Sequence, residues 1–425
     1  MLPRLLTFIP GPKSRGILSD LARHESPGFQ GGPGAPAIVW ARARGANVWD
    51  ADGNRCLDLA AGFGVASVGH GHPAVRRAIA GQSSRLIHGM GDVHPGETKA
   101  RLAAALSRIS PNRGRVFFSS TGAEAVETAL KTAFLVTGRS GVLAFEGSYH
   151  GLGHGALAVT GMDYFRRPFE KQLGGFATFA PFGDLVAVER ILRRDRRVGA
   201  VIVEPIQGRG GVVVPPRGFM RGLAALCRRR GVMFIADEIW TGFGRTGRMF
   251  AVGEENVVPD LLCVGKALGG GFPVSACIGR PGVMAVWGQF KHEALHTSTF
   301  LGNPLGCAMA LAVLETLRRE RLVARSRTRG AALGRGLASV SRRHRVAGAA
   351  HGRGLFWGLD IVDVRGRPVP EIAGAVSAAM LRRGVILPVG GVHRNVLTFS
   401  PPLVISKREM AFVLRTLDEV LAAWD

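Results

Sequence analysis

A chain of 425 residues with 46% hydrophobic side chains can bury a large core, which excludes intrinsic disorder and points to two or three sub-domains. Five scattered cysteines (Cys56, Cys227, Cys263, Cys277 and Cys307) make no CxxC pair, which excludes a disulfide scaffold and suits a reducing, cytoplasmic setting. The net charge of +24 is carried by arginine along the whole length, with no RNP-like or helix-turn-helix pattern, so we expect no nucleic-acid partner.

The N-terminal MLPRLLTFIPGPKSRG has one short apolar stretch broken by prolines, so no signal peptide is expected. RVFFSS (115–120) reads as a strand and AEAVETALKTAFLV as the helix after it. GVLAF (141–145), AVIVEP (200–205), VMFIADE (232–238) and LLCVG (261–265) read as further strands, and their almost unbroken apolar character fits a parallel sheet covered on both faces. The longest uncharged run, near Thr297 to Leu314, contains Asn303 and Pro304 and is a poor membrane span. Further on, VAGAAHGRGLFWGLDIVD, GVILPVGG and NVLTFSPPLVI read as strands of a smaller α+β lobe, closed by a helix from Lys407 to about Trp424. The alternation of strand and helix predicts an α/β fold with a mostly parallel central sheet. We expect residues 1–64 to contribute to the small lobe, 65–318 to form the large domain, and 319–425 the C-terminal small domain.

In open parallel sheets, ligands gather at the carboxyl ends of strands. Several strands here end in reactive groups: Glu204, Asp237 with Glu238, Lys266, and Ser120-Thr121-Gly122-Ala123 where a helix begins. Only seven of the 55 basic residues are lysines, which makes Lys266 at a buried strand end conspicuous. Hydroxyls and backbone N–H groups at a helix start suit a phosphate. An aspartate suits a cationic ring nitrogen, and a desolvated lysine amine can form a Schiff base. Tyr149, in GSYHG, could stack on a ring. Phosphate, ring nitrogen and carbonyl together describe pyridoxal phosphate.

At these residues the sequence resembles the class III (ornithine/4-aminobutyrate-type) aminotransferases, which are fold type I pyridoxal-phosphate enzymes. SSTGAEAVETALK, SYHG, EPIQG, ADEIWTGFGRTG, VGKALGGGFP and HTSTFLGNPLGCA occur in family order over nearly the whole chain. The resemblance implies amino transfer between an amine and a 2-oxo acid. It implies that Lys266 carries the cofactor and moves the proton, and that Asp237 partners the ring nitrogen. Ser120, Thr121, Gly122 and Ala123 then match the phosphate cup. Tyr149 and Ile239 match the two ring faces, with His150, Glu204 and Trp240 beside them. Thr299 matches a phosphate ligand given by the second subunit, which implies a homodimer with shared sites. A racemase or epimerase of the same fold would carry the same motifs and stays open as the alternative.

The chain departs from the family where substrate is held. Leu152 stands where many members have arginine. Arg209 and Thr398 replace a paired glutamate and arginine, and Trp240 replaces a common glutamine. Arg209, Thr398 and Phe63 are therefore the candidate substrate residues, with Arg209 the replacement cation, and these changes argue against ornithine or acetylornithine. Three short patterns are set aside. HEALH (292–296) fits a zinc-protease motif but shows no third ligand, so no metal is expected. GFGRTG (242–247) fits GxGxxG, but two acids separate it from its strand. VGKALG lacks the first glycine and the Ser/Thr of a P-loop.

Overall fold

The computed structural model describes residues 1–28, 37–290 and 293–424. Its centre is a seven-stranded sheet: β1 (Arg115–Ser119), β2 (Gly141–Phe145), β3 (Ala177–Ala180), β4 (Val198–Val203), β5 (Met233–Asp237), β6 (Leu261–Val264) and β7 (Ser275–Gly279). The order is β1-β7-β6-β5-β4-β2-β3. The pairings from β6 through β5, β4 and β2 to β3 are parallel, whereas β7 runs antiparallel to both β1 and β6. Every residue of β4, VGAVIV, is buried, as a parallel strand covered on both faces requires.

The helix Gly122–Thr137 starts where Thr121 accepts a hydrogen bond from the Glu124 N–H, and ends where Gly138 takes a left-handed conformation (φ 64°). Asn303 and Pro304 start the helix Pro304–Arg319 in the same way, the Asn303 side chain accepting from two backbone N–H groups.

Two smaller sheets flank this core. In one, Trp40–Arg44, Asn47–Asp50 and Arg55–Asp58 form an antiparallel meander, and Arg55–Asp58 pairs in parallel with Val385–Ile386. The N-terminal segment thus shares a sheet with the C-terminal part of the chain. In the other, Ala347–Arg353, Phe356–Ile361, Val396–Phe399 and Val389–Gly390 run antiparallel. The closing helix is Lys407–Leu421, held at its start by a Ser406–Glu409 capping box.

The GFGRTG turn has a structural job. It places Arg245, 1% exposed, in the interior. There its guanidinium donates to Leu355 O, Pro401 O and Ser67 Oγ, joining three distant parts of the chain. Burial lowers the Arg245 pKa to about 9.

His296 of HEALH is engaged with Thr128 Oγ1 (3.1 Å) and Lys131 Nζ (3.2 Å), while His292 lies outside the described residues. All five cysteines are buried and none is in a disulfide. Among the described residues no helix is long and apolar enough to cross a membrane.

Candidate active site

Adjacent parallel strands bring their carboxyl ends together, and with them the residues that follow. Asp237 ends β5, Glu204 follows β4, Lys266 stands two residues past β6, and Tyr149 and His150 lie on the loop after β2. Asp237 is 3% exposed and His150 2%. His150 Nδ1–H donates to Asp237 Oδ2 at 2.7 Å, and the Ile239 N–H donates to Asp237 Oδ1 at 3.0 Å. The carboxylate is thereby fixed on both oxygens. His150 Nε2 is buried with no partner among the described residues.

Glu204 accepts from the N–H groups of Tyr149 (2.9 Å) and Gly208 (3.0 Å), pinning two loops to one strand end. Burial pushes its carboxyl up to about 7, against the pull of His150. Glu238 turns away from this cluster. It accepts from Thr241 Oγ1 and the Val252 N–H, and burial raises it to about 7 as well.

Lys266 adopts a left-handed backbone conformation (φ 41°), a strained state for a non-glycine residue that points to a site under functional constraint. Burial lowers its amine to about 8, although Asp237 and Glu204 oppose the shift. Its Nζ lies 4.1 Å from the centre of the Trp240 ring. The indole fits only because two glycines make way. A Cβ on Gly64 would come within 2.6 Å of Trp240 Nε1, and one on Gly208 within 2.5 Å of Cε3. Trp240 Nε1 is itself buried and unpartnered among the described residues.

The residues fit pyridoxal phosphate. At the start of the helix Gly122–Thr137, the Ser120 and Glu124 N–H groups are already bonded, to Glu124 Oε2 and Thr121 Oγ1. The Gly122 and Ala123 N–H groups have no acceptor among the described residues, which leaves two donors for a phosphate at the positive end of the helix. A Cβ on Gly122 would approach Ile239 Cδ1 to 3.0 Å, so the glycine keeps the ground between them low. A buried carboxylate, a lysine of lowered proton affinity and an orphaned imidazole nitrogen complete the set.

Arg209 lies with its guanidinium 5.0 Å from the Tyr149 ring centre and 5.1 Å from that of Phe165, with no carboxylate partner among the described residues. It opens on a cleft of about 390 Å³ that Phe63, Trp240 and Thr398 also line. Thr398 is 3% exposed, and its hydroxyl is buried without a partner. Leu152 is exposed and is not part of the cleft wall. Thr299 is exposed on the turn before Pro304–Arg319, and its hydroxyl makes no hydrogen bond among the described residues. Sequence reasoning missed Phe165 and Arg394, which also line the cleft. The available signal for Arg394 was its GGVHRN turn, just before the strand that bears Thr398.

The profile of the family described as Aminotransferase class-III matches residues 31–421. An acetylornithine aminotransferase from Methanothermobacter thermautotrophicus is 38% identical over 385 residues, covering 91% of this chain and 94% of that protein. An ornithine aminotransferase structure from Toxoplasma gondii, reported with partial occupancy of pyridoxal phosphate at its active site, is 31% identical. It superposes with a TM-score of 0.86 over 96% of this chain and 94% of its own. An amine transaminase from an uncultivated Pseudomonas species, solved in its cofactor-bound form, is also 31% identical, with a TM-score of 0.86 over 94% and 98% of the two chains. None of these three is described as a racemase. A match over nearly the whole chain, on a fold type I architecture whose strand ends carry the fitting residues, places this protein among the class III, pyridoxal-phosphate-dependent aminotransferases.

Proposed function

We propose that the site around Lys266 and Asp237 transfers an amino group from an amine or amino-acid donor, ω-amino or broad in range, to a 2-oxo acid in a ping-pong cycle. The observation that carries this reading is the Lys266 amine, lowered to about 8 at a strand end beside the buried Asp237–His150 pair. Pyridoxal phosphate, when bound, supplies a carbonyl that captures the donor amine and a ring that takes up the electron pair of the broken Cα–H bond.

Ser120, Thr121, Gly122 and Ala123 bind the phosphate, through hydroxyls and the two free N–H groups. Tyr149 and Ile239 hold the two ring faces. Asp237 keeps a proton at the ring nitrogen, and His150 fixes the carboxylate that does so. Glu204 acts through the loops it pins rather than on the substrate. Lys266 Nζ, its proton affinity lowered by burial, would move the proton between the substrate Cα and the cofactor C4′. Trp240 narrows the pocket beside it. Arg209 meets a substrate carboxylate, with Thr398 and Phe63 along the same cleft. Acetylornithine, which names one relative, is disfavoured because Thr398, on the cleft wall, stands where many members of the family have arginine.

The same reading includes a homodimer in which Thr299 reaches the partner's phosphate cup. Its support is an exposed apolar patch around Thr299. Ile87, Met90, Val93 and Phe300 are each more than half exposed. The His88 and Phe300 rings meet tilted at 56° with centres 5.3 Å apart, and Thr297 Oγ1–H donates to Asp92 at 2.9 Å, which joins the two segments into one surface. A patch of this kind marks an interface.

A half-reaction screen tests the reading. Holoenzyme is mixed with single amines, and loss of its visible absorbance is followed. Donors that convert it to the amine form of the cofactor establish transfer. Spectral perturbation without conversion, together with loss of the donor's optical activity, would establish racemisation instead.

A further inference from the structure

Residues 207–213 form a tight loop whose backbone at Gly208 lies against the Trp240 indole, which in turn stands 4.1 Å from Lys266 Nζ. Gln207 and Val213 close the loop by exchanging backbone hydrogen bonds of 3.1 and 3.0 Å. Near its end, Val212 sits at φ 60°. A β-branched residue is strained there and stays only where its surroundings hold it. Val212 is buried and packs with Ile206 and Phe356, and the Phe356 ring centre lies 5.3 Å from that of Trp240. The Val212 carbonyl has one hydrogen-bond partner among the described residues, Nδ1 of His351 at 3.1 Å. His351 belongs to Ala347–Arg353, so this bond ties the loop to a different sheet from the one that bears the site. A Cβ on the cross-strand Gly358 would come within 2.6 Å of His351 Cε1 and 2.8 Å of Gly211 O, so the glycine lets ring and loop meet.

The other ring nitrogen, Nε2, lies 3.0 Å from Asp360 Oδ1. A carbonyl and a carboxylate only accept, so both nitrogens carry protons and the ring is a cation. Burial pulls its proton affinity down, but the bond to Asp360, the charge of that carboxylate and the bond to Val212 O raise it above the ordinary histidine value. Asp360 is the charged group whose field acts on the ring. Arg209, on the loop, lies over the Tyr149 and Phe165 rings, and Arg353, on the same strand as His351, lines a small cavity with Glu254 and Glu255. Val396–Phe399 carries no ionisable side chain. The helix Leu322–Arg343 packs on this sheet through Gly334, against Trp357, and Ser341, which donates to Gly348 O. When one proton leaves the ring, the other stays with the carboxylate, the stronger acceptor. The Nδ1 lone pair then faces the buried Val212 carbonyl, and the bond that holds the strained residue is lost. Because the folded value is raised, the tie is complete below the ordinary histidine range and is lost as pH rises through the folded value.

We infer that His351 is a positioning residue: its imidazolium holds residues 207–213 in the shape that seats Trp240 beside Lys266, and its deprotonation frees them. The consequence for the reaction rests on the reading of that pocket as the site of amino transfer.

The test is amide hydrogen exchange of the holoenzyme, read by mass spectrometry on peptides spanning 206–215 and corrected for the intrinsic pH dependence of exchange. In the wild type, protection there should fall about tenfold between about pH 6 and about pH 9.5, the scale of one hydrogen bond from a charged donor. His351→Phe keeps a flat ring without donors and should show the low protection at every pH. His351→Arg keeps two donors and never titrates, so its protection should stay high throughout. Asp360→Asn keeps an acceptor but not the charge, and should move the fall to lower pH. A merely structural histidine would lower protection in His351→Phe but leave the wild type without pH dependence. A flat wild-type profile, or an Asp360→Asn profile that does not move, would overturn the inference, whether or not His351→Phe folds. The donor half-reaction supplies a second arm. The rate of His351→Arg over that of the wild type should be near one at about pH 6 and about tenfold at about pH 9.5, because the titrations of Lys266 and of the donor are common to both enzymes. A ratio near one at every pH would confine His351 to the fold and overturn its role in the reaction. If no amine reacts with either enzyme while exchange behaves as stated, amino transfer is refuted and the hold of His351 on the loop stands.

Discussion

A lysine amine lowered to about 8 is a cation kept at a disadvantage by its own burial. Unfolding restores its ordinary affinity, so between about pH 8 and 10.5 the unfolded chain binds more protons, and stability rises with pH through that window. Lys266→Met should therefore stabilise the cofactor-free protein at pH 7 by roughly 1–2 kcal/mol, a discounted share of the shift because Asp237 and Glu204 lose their neighbouring cation. The gain should shrink above pH 8; thermal melts of both proteins from pH 6.5 to 10 measure it, and a constant or widening difference would remove desolvation as its cause. Asp237 makes the complementary contribution. Asp237→Asn should retain the fold and the cofactor but lose at least about 10²-fold in turnover, the scale for removing one preorganised electrostatic partner. Wild-type turnover at saturating donor would take Asp237 out of the chemistry.

Loops at strand ends set the pocket's shape, and the loop between β4 and Val212 does so through Gly208. A methyl there would press within 2.5 Å of the Trp240 ring, so Gly208→Ala should cost about 1–3 kcal/mol and shift the tryptophan emission. Trp240→Gln should absorb most of that cost, and a double-mutant cycle with no coupling would show that the indole is not where the structure puts it. The strands that bear the site were legible because they are continuous apolar runs ending in acids, a hydroxyl cluster or a lysine. The antiparallel sense of β7 was not, since SACIG is as apolar as its parallel neighbours. The GFGRTG turn could be set aside as a nucleotide loop from its neighbours. What Arg245 does there could not be read, because its acceptors lie 110 and 156 residues further along the chain, and Ser67 lies 178 residues before it. Likewise His150 and Asp237 stand 87 residues apart, and only the parallel pairing of their strands through β4 makes them neighbours. Arg394 was invisible for a simpler reason: one arginine in a surface turn resembles the many others in this chain.

At the level of the whole molecule, the sheet collects reactive groups at one edge, and the exposed patch around Thr299 lies outside that edge's own cluster. If two chains complete each other's sites, Lys266→Ala and Thr299→Glu should each be inactive alone, the second by placing a carboxylate against the phosphate. Mixing and reassociating them should recover activity, because one site in each mixed dimer has both native residues. An active monomer by light scattering, or no recovery in verified mixed dimers, would refute shared sites. The small sheets depend equally on long-range closure. Arg55–Asp58 pairs with Val385–Ile386 across more than 300 intervening residues, so this sheet cannot form from either end of the chain alone.

The claim on which the rest depends is that Lys266 is the covalent anchor of the cofactor. Borohydride reduction of the yellow holoenzyme, followed by peptide mapping, measures it directly. The account predicts a single pyridoxyl label on the peptide bearing Lys266, and no visible absorbance or label in Lys266→Ala. A label on any of the other six lysines, or a labelled Lys266→Ala protein, would contradict it.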